Sequence, residues 1–315
     1  MPILVQRGLP AYKTLKHENI FVMQDRRAAR QDIRPLSIAV VNLMPLKEVT
    51  ETQLIRLLAN SPLQVELQLL TLSSHEFSHV DPLHMETFYK KFDVMQYERL
   101  DAMIITGAPV EAIPYEDVDY WRELKAIMDY SKTNVFSTLH LCWGAQAGLY
   151  YHYGIQKHML SKKLFGVFPH RVIDAKSDFT RGFDEEFFVP HSRYAEVRRE
   201  DILAAPDLKI LAESEAAGVH MVVSKDKRRL YLQGHCEYDW NTLRLEYERD
   251  AARGLPVEVP VNYFEDDDPK KRVLMKWRGH ANLFFANWLN FVYQETPFDL
   301  SELSQAGSFT HGGGI

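Results

Sequence analysis

The stretch Val135-Phe-Ser-Thr-Leu-His-Leu-Cys142-Trp-Gly-Ala-Gln-Ala-Gly148 decides the fold class of this chain. An apolar run with strand character ends at Cys142, and a segment of small, helix-forming residues follows at once. This pattern predicts a strand, a sharp turn and a helix, with the thiol at the tip of the turn. A thiol there lies at the amino end of a helix, where unpaired N–H groups favour the thiolate. We therefore interpret Cys142 as a nucleophile.

Strand and helix patterns alternate along the chain before this turn. The predicted strands cover residues 36–43, 65–72, 101–106 and 135–141, and the predicted helices cover residues 50–60 and a segment capped by Asp117. Such alternation predicts an α/β fold, a parallel sheet of flavodoxin-like core with helices on both faces. Ligands bind these sheets at the carboxyl ends of the strands, where Cys142, Gly107 and the loop 42–47 all fall.

The pattern changes after Leu164. A hairpin is predicted from residues 219–224 and 229–233, and helices are predicted at 242–253 and 279–293. We expect one continuous α/β catalytic domain at 36–300. It is preceded by an amino-terminal arm at 1–35 and followed by a flexible tail at 301–315.

The composition is that of a soluble globular protein, with 46% hydrophobic and 25% charged residues. The net charge of −6 gives no electrostatic footprint for nucleic acid or an anionic membrane. No apolar run approaches the about 20 residues of a membrane span, and no signal peptide is apparent. The two cysteines, Cys142 and Cys236, lack zinc-type spacing, so we expect no metal and a cytoplasmic protein with both thiols reduced.

A base for the thiol is predicted in the segment Gln233-Gly-His235-Cys-Glu237, which directly follows a strand. In extended backbone His235 and Glu237 project to the same side, so Glu237 can fix the imidazole tautomer while His235 activates Cys142. Taken alone, the segment favours a hairpin end with ordinary surface His and Glu residues; combined with the thiol turn on an α/β sheet, it favours a catalytic triad. Metal ligation by Cys142, His235 and Cys236 is a weaker alternative, and we expect Cys236 to be a small buried hydrophobic residue.

The remaining residues that could carry chemistry are less clear from the residues alone. The backbone N–H of Trp143 is the natural first oxyanion donor, and Lys47 lies in a strand-end loop that could supply the second. An ordinary surface lysine is an equally simple interpretation of Lys47. We expect His140 to pack or hydrogen-bond on its own strand. Three other histidines show no partner in the sequence: His170, His191 and His220.

Several sequence blocks resemble the homoserine O-acyltransferases of methionine biosynthesis, the homoserine O-succinyltransferase/trans-acetylase family. The resemblance covers nearly the whole chain, and the matching blocks are Cys142-Trp-Gly-Ala-Gln146, Gly234-His-Cys-Glu237, Asn42-Leu-Met-Pro-Leu-Lys47, Thr106-Gly-Ala-Pro-Val-Glu111, Lys162-Lys-Leu-Phe-Gly166, Val189-Pro-His-Ser-Arg193 and Arg249. It implies a fold similar to class I glutamine amidotransferases. It also implies ping-pong acyl transfer from acyl-CoA, as co-substrate, to homoserine, and we expect no other cofactor. Separately, we expect a homodimer built with the peripheral segment 1–35 and the carboxyl-terminal segment.

The resemblance further implies roles for residues that would otherwise be unremarkable. Lys163, Ser192 and Arg249 would contact substrate, and a guanidinium such as that of Arg249 can bind a carboxylate with two parallel hydrogen bonds. Family members that use succinyl-CoA resemble one another in having glycine at the position of Glu111. A carboxylate there would repel the distal carboxylate of a succinyl group, so we expect acetyl-CoA as the donor.

Two other functions remain open from the sequence. The same reaction with succinyl-CoA and a glutamine amidotransferase-like hydrolase would both use Cys142 and His235. The bulky Trp143 beside the turn and the absence of a synthetase segment disfavour the hydrolase. A non-catalytic binding protein that retains the fold is the third possibility.

Overall fold

The computed structural model describes residues 3–6, 8–18, 22–24, 34–75, 80–95 and 97–304. The strands are β1 (Ile3–Val5), β2 (Val22–Gln24), β3 (Leu36–Val41), β4 (Val65–Thr71), β5 (Tyr89–Lys91), β6 (Leu100–Ile105), β7 (Val135–Leu141), β8 (His158–Val172), β9 (Glu186–Glu196), β10 (Leu208–Ser214), β11 (Gly218–Ser224) and β12 (Arg229–Leu232). The α-helices are α1 (Pro10–His17), α2 (Lys47–Ala59), α3 (Pro82–Phe88), α4 (Phe92–Met95), α5 (Trp121–Asn134), α6 (Trp143–Tyr153), α7 (Arg199–Ala204), α8 (Thr242–Ala252) and α9 (Arg278–Glu295).

A single sheet contains all the described strands. Its order is β2-β1-β4-β3-β6-β7-β12-β11-β10-β8-β9, and β5 pairs with β4. The pairings from β2 across to β12 are parallel. Those from β12 across to β9 are antiparallel. Strand β12 therefore joins two halves of the sheet that differ in direction.

Helices cover both faces of the parallel half, as the sequence predicts. Along β3, Ile38 and Val40 belong to one hydrophobic cluster with residues of α2 and α9. The alternating residues Ala39 and Val41 belong to a second cluster, on the opposite face, with residues of α5. Every residue of β6 and β7 is buried, as expected for central strands covered on both sides. The strand order reverses direction between β3 and β6, since β4 lies on one side of β3 and β6 on the other. Sheets of this kind bind ligands at the carboxyl ends of the strands at such a point.

Most predicted elements are confirmed, with two corrections at helix starts. Helix α2 begins at Lys47, three residues earlier than predicted. The prediction that Asp117 caps a helix is wrong, because Asp117 ends a separate 3-10 turn, Tyr115–Asp117, whose N-cap position is held by Pro114. Helix α5 starts only at Trp121.

The largest departure from the sequence prediction is the long antiparallel pair β8 and β9, which the residue pattern does not indicate. The amino-terminal segment, expected as an arm, adds β1 beside β4 and β2 beside β1, so that β2 forms one edge of the sheet. The expectation of a flexible tail falls mainly on residues 305–315, which lie outside the described part of the chain. Within the described residues, no helix combines the length and apolar character needed to cross a membrane.

Candidate active site

The turn between β7 and α6 holds Cys142 in a strained backbone conformation. Its φ is 48° and its ψ is −117°, a combination that residues with a side chain rarely adopt. Its N–H donates to the Leu232 carbonyl at 2.7 Å, which ties the turn to the end of β12. Cys142 is only 4% exposed. The chain therefore presents the thiol at the carboxyl edge of the sheet, at the amino end of α6.

Two glycines allow the turn to pack tightly. A Cβ on Gly144 would lie 2.5 Å from the carbonyl oxygen of Thr106, so α6 starts in direct contact with the end of β6. A Cβ on Gly107 would lie 3.2 Å from Cys142 Cβ and 3.7 Å from His235 Cε1. Gly107 therefore lies next to both Cys142 and the imidazole of His235.

Two hydrogen bonds and a stacked ring fix the position of His235. Its Nδ1 hydrogen-bonds with Glu237 Oε1 at 2.7 Å, and its backbone N–H donates to the Pro190 carbonyl at 2.8 Å. The ring of Tyr238 stacks on the imidazole with a centroid separation of 4.1 Å. Burial opposes a charged imidazolium, but the negative charges of the Cys142 thiolate and Glu237 outweigh it and raise the pKa of His235 well above its ordinary value. The contacts with Cys142 and Glu237 therefore favour the charged form of His235.

The two residues that follow His235 have different surroundings: Glu237 contacts the imidazole, whereas Cys236 packs in the hydrophobic core. Glu237 is 7% exposed, and its second oxygen, Oε2, has no hydrogen-bond partner in the described structure. Cys236 lies in the hydrophobic core with Phe187 and Phe284, and burial raises its pKa well above the ordinary thiol value. Both cysteines are free thiols. As predicted, Cys236 is a buried apolar residue rather than a second reactive thiol.

The two predicted oxyanion donors lie in different settings. Trp143 is the first residue of α6, so its backbone N–H has no partner within the helix. Lys47 is the first residue of α2 and is 1% exposed. Its Nζ donates to the Asn42 carbonyl, and burial, partly offset by Glu51, lowers the pKa of Lys47 to about 7. The role of Lys47 as an oxyanion donor stays a prediction, since its described contact is with Asn42.

The three residues carried over by family motif lie around two carboxylates of α8. Lys163 Nζ contacts Glu246 Oε1 at 2.6 Å, and the Ser192 hydroxyl donates to the same oxygen at 2.7 Å. Arg249 Nε donates to Asp250 Oδ1 at 2.8 Å, and its side chain is 49% exposed. The structure thus brings Lys163, Ser192 and Arg249 together around Glu246 and Asp250, in one cluster of charged and polar side chains.

Glu111 lies near three positively charged or chargeable side chains, those of His235, Arg193 and Lys163. Its Oε2 accepts a hydrogen bond from the Tyr194 N–H at 3.1 Å, and its Oε1 is buried without a partner in the described part of the chain. Burial raises the pKa of Glu111, against the opposing effects of the Tyr194 N–H and of the charges on His235, Arg193 and Lys163. Glu111 is therefore a carboxylate with one buried, unpaired oxygen close enough to His235 to feel its charge.

Sequence reasoning did not identify several residues of this site. Glu246 and Asp250 could have been found, because with Arg249 they occupy one face of α8 at helical spacing. Tyr238 and Arg193 gave no comparable signal. His140 stacks on Tyr231 and is fully buried, as predicted. The three histidines without a visible partner meet in one cluster: His170, His191 and His220.

Comparison with known proteins gives consistent matches over nearly the full length. The family profile described as homoserine O-succinyltransferase matches residues 2–298. A homoserine O-acetyltransferase of Clostridium novyi is 57% identical over 300 residues, covering 95% of this chain and 99% of the relative. A homoserine O-acetyltransferase of Petrotoga mobilis is 55% identical over 307 residues, covering 97% and 99%.

Solved structures share the fold at much lower identity. A glutamine amidotransferase from Thermotoga maritima matches with a TM-score of 0.52 and 11% identity, covering 82% of this chain and 99% of that one. A putative GMP synthase subunit from Thermoplasma acidophilum matches with a TM-score of 0.51 and 15% identity, covering 83% and 96%. The expected class I glutamine amidotransferase-like fold is confirmed.

Proposed function

This chain belongs to the homoserine O-succinyltransferase family, and we propose that it transfers an acetyl group from acetyl-CoA to the hydroxyl of L-homoserine. The products are O-acetyl-L-homoserine and CoA, in a step of methionine biosynthesis. The chain is therefore a homoserine acyltransferase. The acyl group is carried on Cys142 between two half-reactions.

One observation supports this mechanism above the others. The strained Cys142 and the His235–Glu237 pair converge at the carboxyl edge of the sheet, with both Cys142 and His235 in contact range of Gly107. The arrangement supplies a nucleophile, a base and a group that orients the base. No metal or redox group is required, because both half-reactions exchange one acyl ester for another.

In the first half-reaction, the Cys142 thiolate attacks the thioester carbonyl of acetyl-CoA. The developing oxyanion accepts a hydrogen bond from the Trp143 N–H, and the positive amino end of the α6 dipole stabilises its charge. The bond from carbon to the CoA sulfur then breaks, and the imidazolium of His235 gives its proton to the departing CoA thiolate. Because a thioester is exchanged for a thioester, this step is nearly isoenergetic.

In the second half-reaction, neutral His235 removes the proton from the homoserine hydroxyl. The resulting oxygen nucleophile attacks the acyl carbon, and the Cys142 thiolate leaves as the oxygen ester forms. Glu237 holds the Nδ1 proton throughout, which directs Nε2 of His235 toward the reacting atoms. The first half-reaction thus ends with acetylated Cys142 and neutral His235, and the second restores the thiolate–imidazolium pair.

The pocket around α8 suits an amino acid that carries both charges. Arg249 is half-exposed and near Lys163, so the two cations can bind the homoserine carboxylate. Glu246 lies between them and offers a carboxylate for the ammonium group. We propose that Ser192, which hydrogen-bonds to Glu246, fixes the orientation of that carboxylate.

The choice of acetyl over succinyl rests on Glu111. Two like charges at about 4 Å repel by about 1 kcal/mol in water and about 4 kcal/mol in a partly buried site. The buried Glu111 Oε1 would impose such repulsion on a succinyl carboxylate, whereas an acetyl group carries no charge. Relatives more than half identical that are named homoserine O-acetyltransferase support the same choice.

The test is a product assay with three donors. Purified protein is incubated with homoserine and acetyl-CoA, succinyl-CoA or glutamine, and O-acylhomoserine, free CoA and ammonia are measured. We expect O-acetylhomoserine with equimolar CoA, little succinylated product and no ammonia. Preference for succinyl-CoA would contradict the acetyl donor. Ammonia from glutamine would favour the hydrolase instead.

Two expectations from the sequence stay predictions. These are a homodimer and a location in the cytoplasm. Light scattering of the purified protein tests the first, and cell fractionation tests the second.

A further inference from the structure

The deepest cluster of titratable side chains lies outside the catalytic pair, in the antiparallel half of the sheet. His170 of β8, His191 of β9 and His220 of β11 are each at most 1% exposed. Their ring nitrogens approach within 4.8 Å of one another. Burial lowers the pKa of all three, that of His170 to about 4, so the cluster is neutral at physiological pH.

Neighbouring groups fix the tautomers of the stacked pair. His170 Nδ1 donates to the Phe168 carbonyl at 2.9 Å, which leaves its Nε2 as an acceptor. Arg193 Nε donates to His191 Nδ1 at 3.3 Å, so the proton of His191 resides on Nε2. That proton is directed at His170 Nε2, 3.1 Å away. The three side chains form one hydrogen-bond chain from Arg193 to the Phe168 carbonyl.

A bound metal ion fits this arrangement poorly. Metal-ligating histidines usually donate their second N–H to an acceptor, whereas His191 accepts from a guanidinium. Arg193 is 1% exposed and also donates to the carbonyls of Ala195 and Ala217, so its charge is fixed beside the cluster. No carboxylate of the described residues joins the three histidines to offset a dication. The neutral hydrogen-bond chain accounts for the geometry.

The cluster contacts the segment that carries the catalytic base. The Gly234 N–H donates to His220 Nδ1 at 3.3 Å, and the Gln233 N–H donates to the His220 carbonyl at 2.8 Å. A Cβ on Gly234 would lie 2.8 Å from His191 Nε2. Gly234 is the residue directly before His235. The imidazoles of His191 and His220 therefore pack directly against the segment that carries His235.

We propose that His220 is a positioning residue for His235, acting through the Gly234 N–H. The hydrogen-bond chain of Arg193, His191 and His170 packs edge-on against the His220 ring, with His170 and His220 centroids 4.8 Å apart. Burial, helped by the charge of Arg193, keeps the His220 imidazole neutral. The hydrogen bond from the Gly234 N–H then selects the tautomer in which Nδ1 is unprotonated, because only that nitrogen can accept it. This proposal deepens the acyl transfer proposed above and rests on its catalytic pair.

The test compares His220→Leu with His220→Asn, because the amide oxygen of asparagine can still accept the Gly234 N–H. The first readout is the pH profile of Cys142 alkylation by iodoacetamide, followed by peptide mass spectrometry. We expect the Leu variant to shift the midpoint upward by about one pH unit, since a displaced His235 no longer pairs with the thiolate. We expect the Asn variant to restore the midpoint.

The second readout is steady-state turnover. The Leu variant should lose about 10- to 100-fold in kcat, the cost of a misplaced base, with the KM for homoserine changed less than about twofold. The Asn variant should recover to within about threefold of wild type. His152→Leu, which removes a largely buried imidazole from the last turn of α6, serves as the matched control.

Several outcomes would overturn the positioning role. Equal losses in the Leu and Asn variants, or an unshifted alkylation profile in the Leu variant, would reduce His220 to a packing residue. If His220→Leu does not fold, hydrogen exchange of the wild-type Gly234 amide decides, and exchange much faster than at Gln233 rejects the hydrogen bond. Retention of one equivalent of zinc after dialysis against zinc sulfate would contradict the neutral cluster. The alkylation readout needs no substrate, so it fails independently of the acyl-transfer assay.

Discussion

The two halves of the sheet contribute different parts of the site. The parallel half, from β2 across to β7, supplies Cys142 on a strained turn between a fully buried strand and a helix. The antiparallel half, β8 to β11, supplies Lys163 and Ser192. It also supplies the cluster of three buried histidines, His170, His191 and His220. His235 follows β12, the strand that pairs in parallel with β7 and in antiparallel with β11.

This division suggests a separation of tasks. The parallel half provides the nucleophile, at the turn between β7 and α6. The antiparallel half and α8 supply the charged groups of Lys163, Glu246 and Arg249, which we propose to bind the amino-acid acceptor. If the separation holds, loss of Cys142 should abolish acylation, whereas loss of the charged groups of α8 should spare acylation and weaken transfer to homoserine.

The largest effect is expected at the nucleophile of the parallel half. Cys142→Ala removes the acyl carrier, and we expect turnover to fall by at least about 1,000-fold in the product assay. Cys236→Ala is the matched control, because that thiol packs in the core and should leave turnover near wild type. Comparable losses in the two variants would show that the thiol of Cys142 has no special role.

The next effect is expected at the junction between the halves. Glu237→Gln keeps the shape of the side chain but removes the charge that holds the His235 tautomer. We expect kcat to fall about 100- to 10,000-fold, by analogy with other triads, with little change in either KM. A loss smaller than about threefold would mean that Glu237 only packs against the imidazole.

A smaller and more selective effect is expected in α8. Arg249→Leu should raise the KM for homoserine about 10- to 100-fold, since a charged hydrogen bond to carboxylate is lost. Acylation of Cys142 by acetyl-CoA, measured without homoserine, should proceed at the wild-type rate. The exposed Arg253, directly after the same helix, provides the control substitution Arg253→Leu. A variant that slows acylation instead would break the proposed separation.

Donor choice should shift by a more modest factor. Glu111→Gly removes a buried carboxylate, and we expect the ratio of kcat/KM for succinyl-CoA over acetyl-CoA to rise about tenfold or more. The exposed Glu116, five residues further along the chain, gives the control Glu116→Gly. An unchanged ratio in the Glu111 variant would remove the charge argument for acetyl-CoA.

The smallest effect concerns the pH dependence of stability. Burial lowers the pKa of His140, in the parallel half, to about 3 and that of His170, in the antiparallel half, to about 4. Below the unfolded value of about 6.5, the unfolded chain takes up protons that the folded chain refuses. The free energy of unfolding should therefore fall as pH drops from 6.5 toward 4, by about 1.4 kcal/mol per pH unit for each such group. Urea unfolding of His170→Gln should give a shallower slope, and an unaltered slope would contradict the assigned neutrality.

The predictability of the molecule follows the same division. Parallel strands such as β6 and β7 are buried on both faces, so they appear in the sequence as continuous apolar runs. Cys142 stands out because it ends such a run. Strand β8 mixes buried and exposed positions and includes Pro169, so its pattern resembles that of an irregular segment.

Long-range juxtapositions could not be predicted from spacing. His170, His191 and His220 meet only because β8, β9, β10 and β11 pair in antiparallel registers that no local pattern records. The pairing of His235 with Glu237 could be predicted, because the two residues lie two positions apart on one short segment. The resemblance to a known family indicated Lys163, Ser192 and Arg249, but their shared contacts with Glu246 and Asp250 required the fold.

The most direct test of the central claim is the mass of the protein during a divided reaction. Wild-type protein is incubated with acetyl-CoA alone, and intact and peptide mass spectrometry are recorded before and after homoserine is added. We predict one acetyl group on the peptide containing Cys142, lost on addition of homoserine as O-acetylhomoserine appears. Product formation with no adduct on Cys142 at any time, even when acetyl-CoA is in excess, would contradict an acyl carrier at the β7–α6 turn.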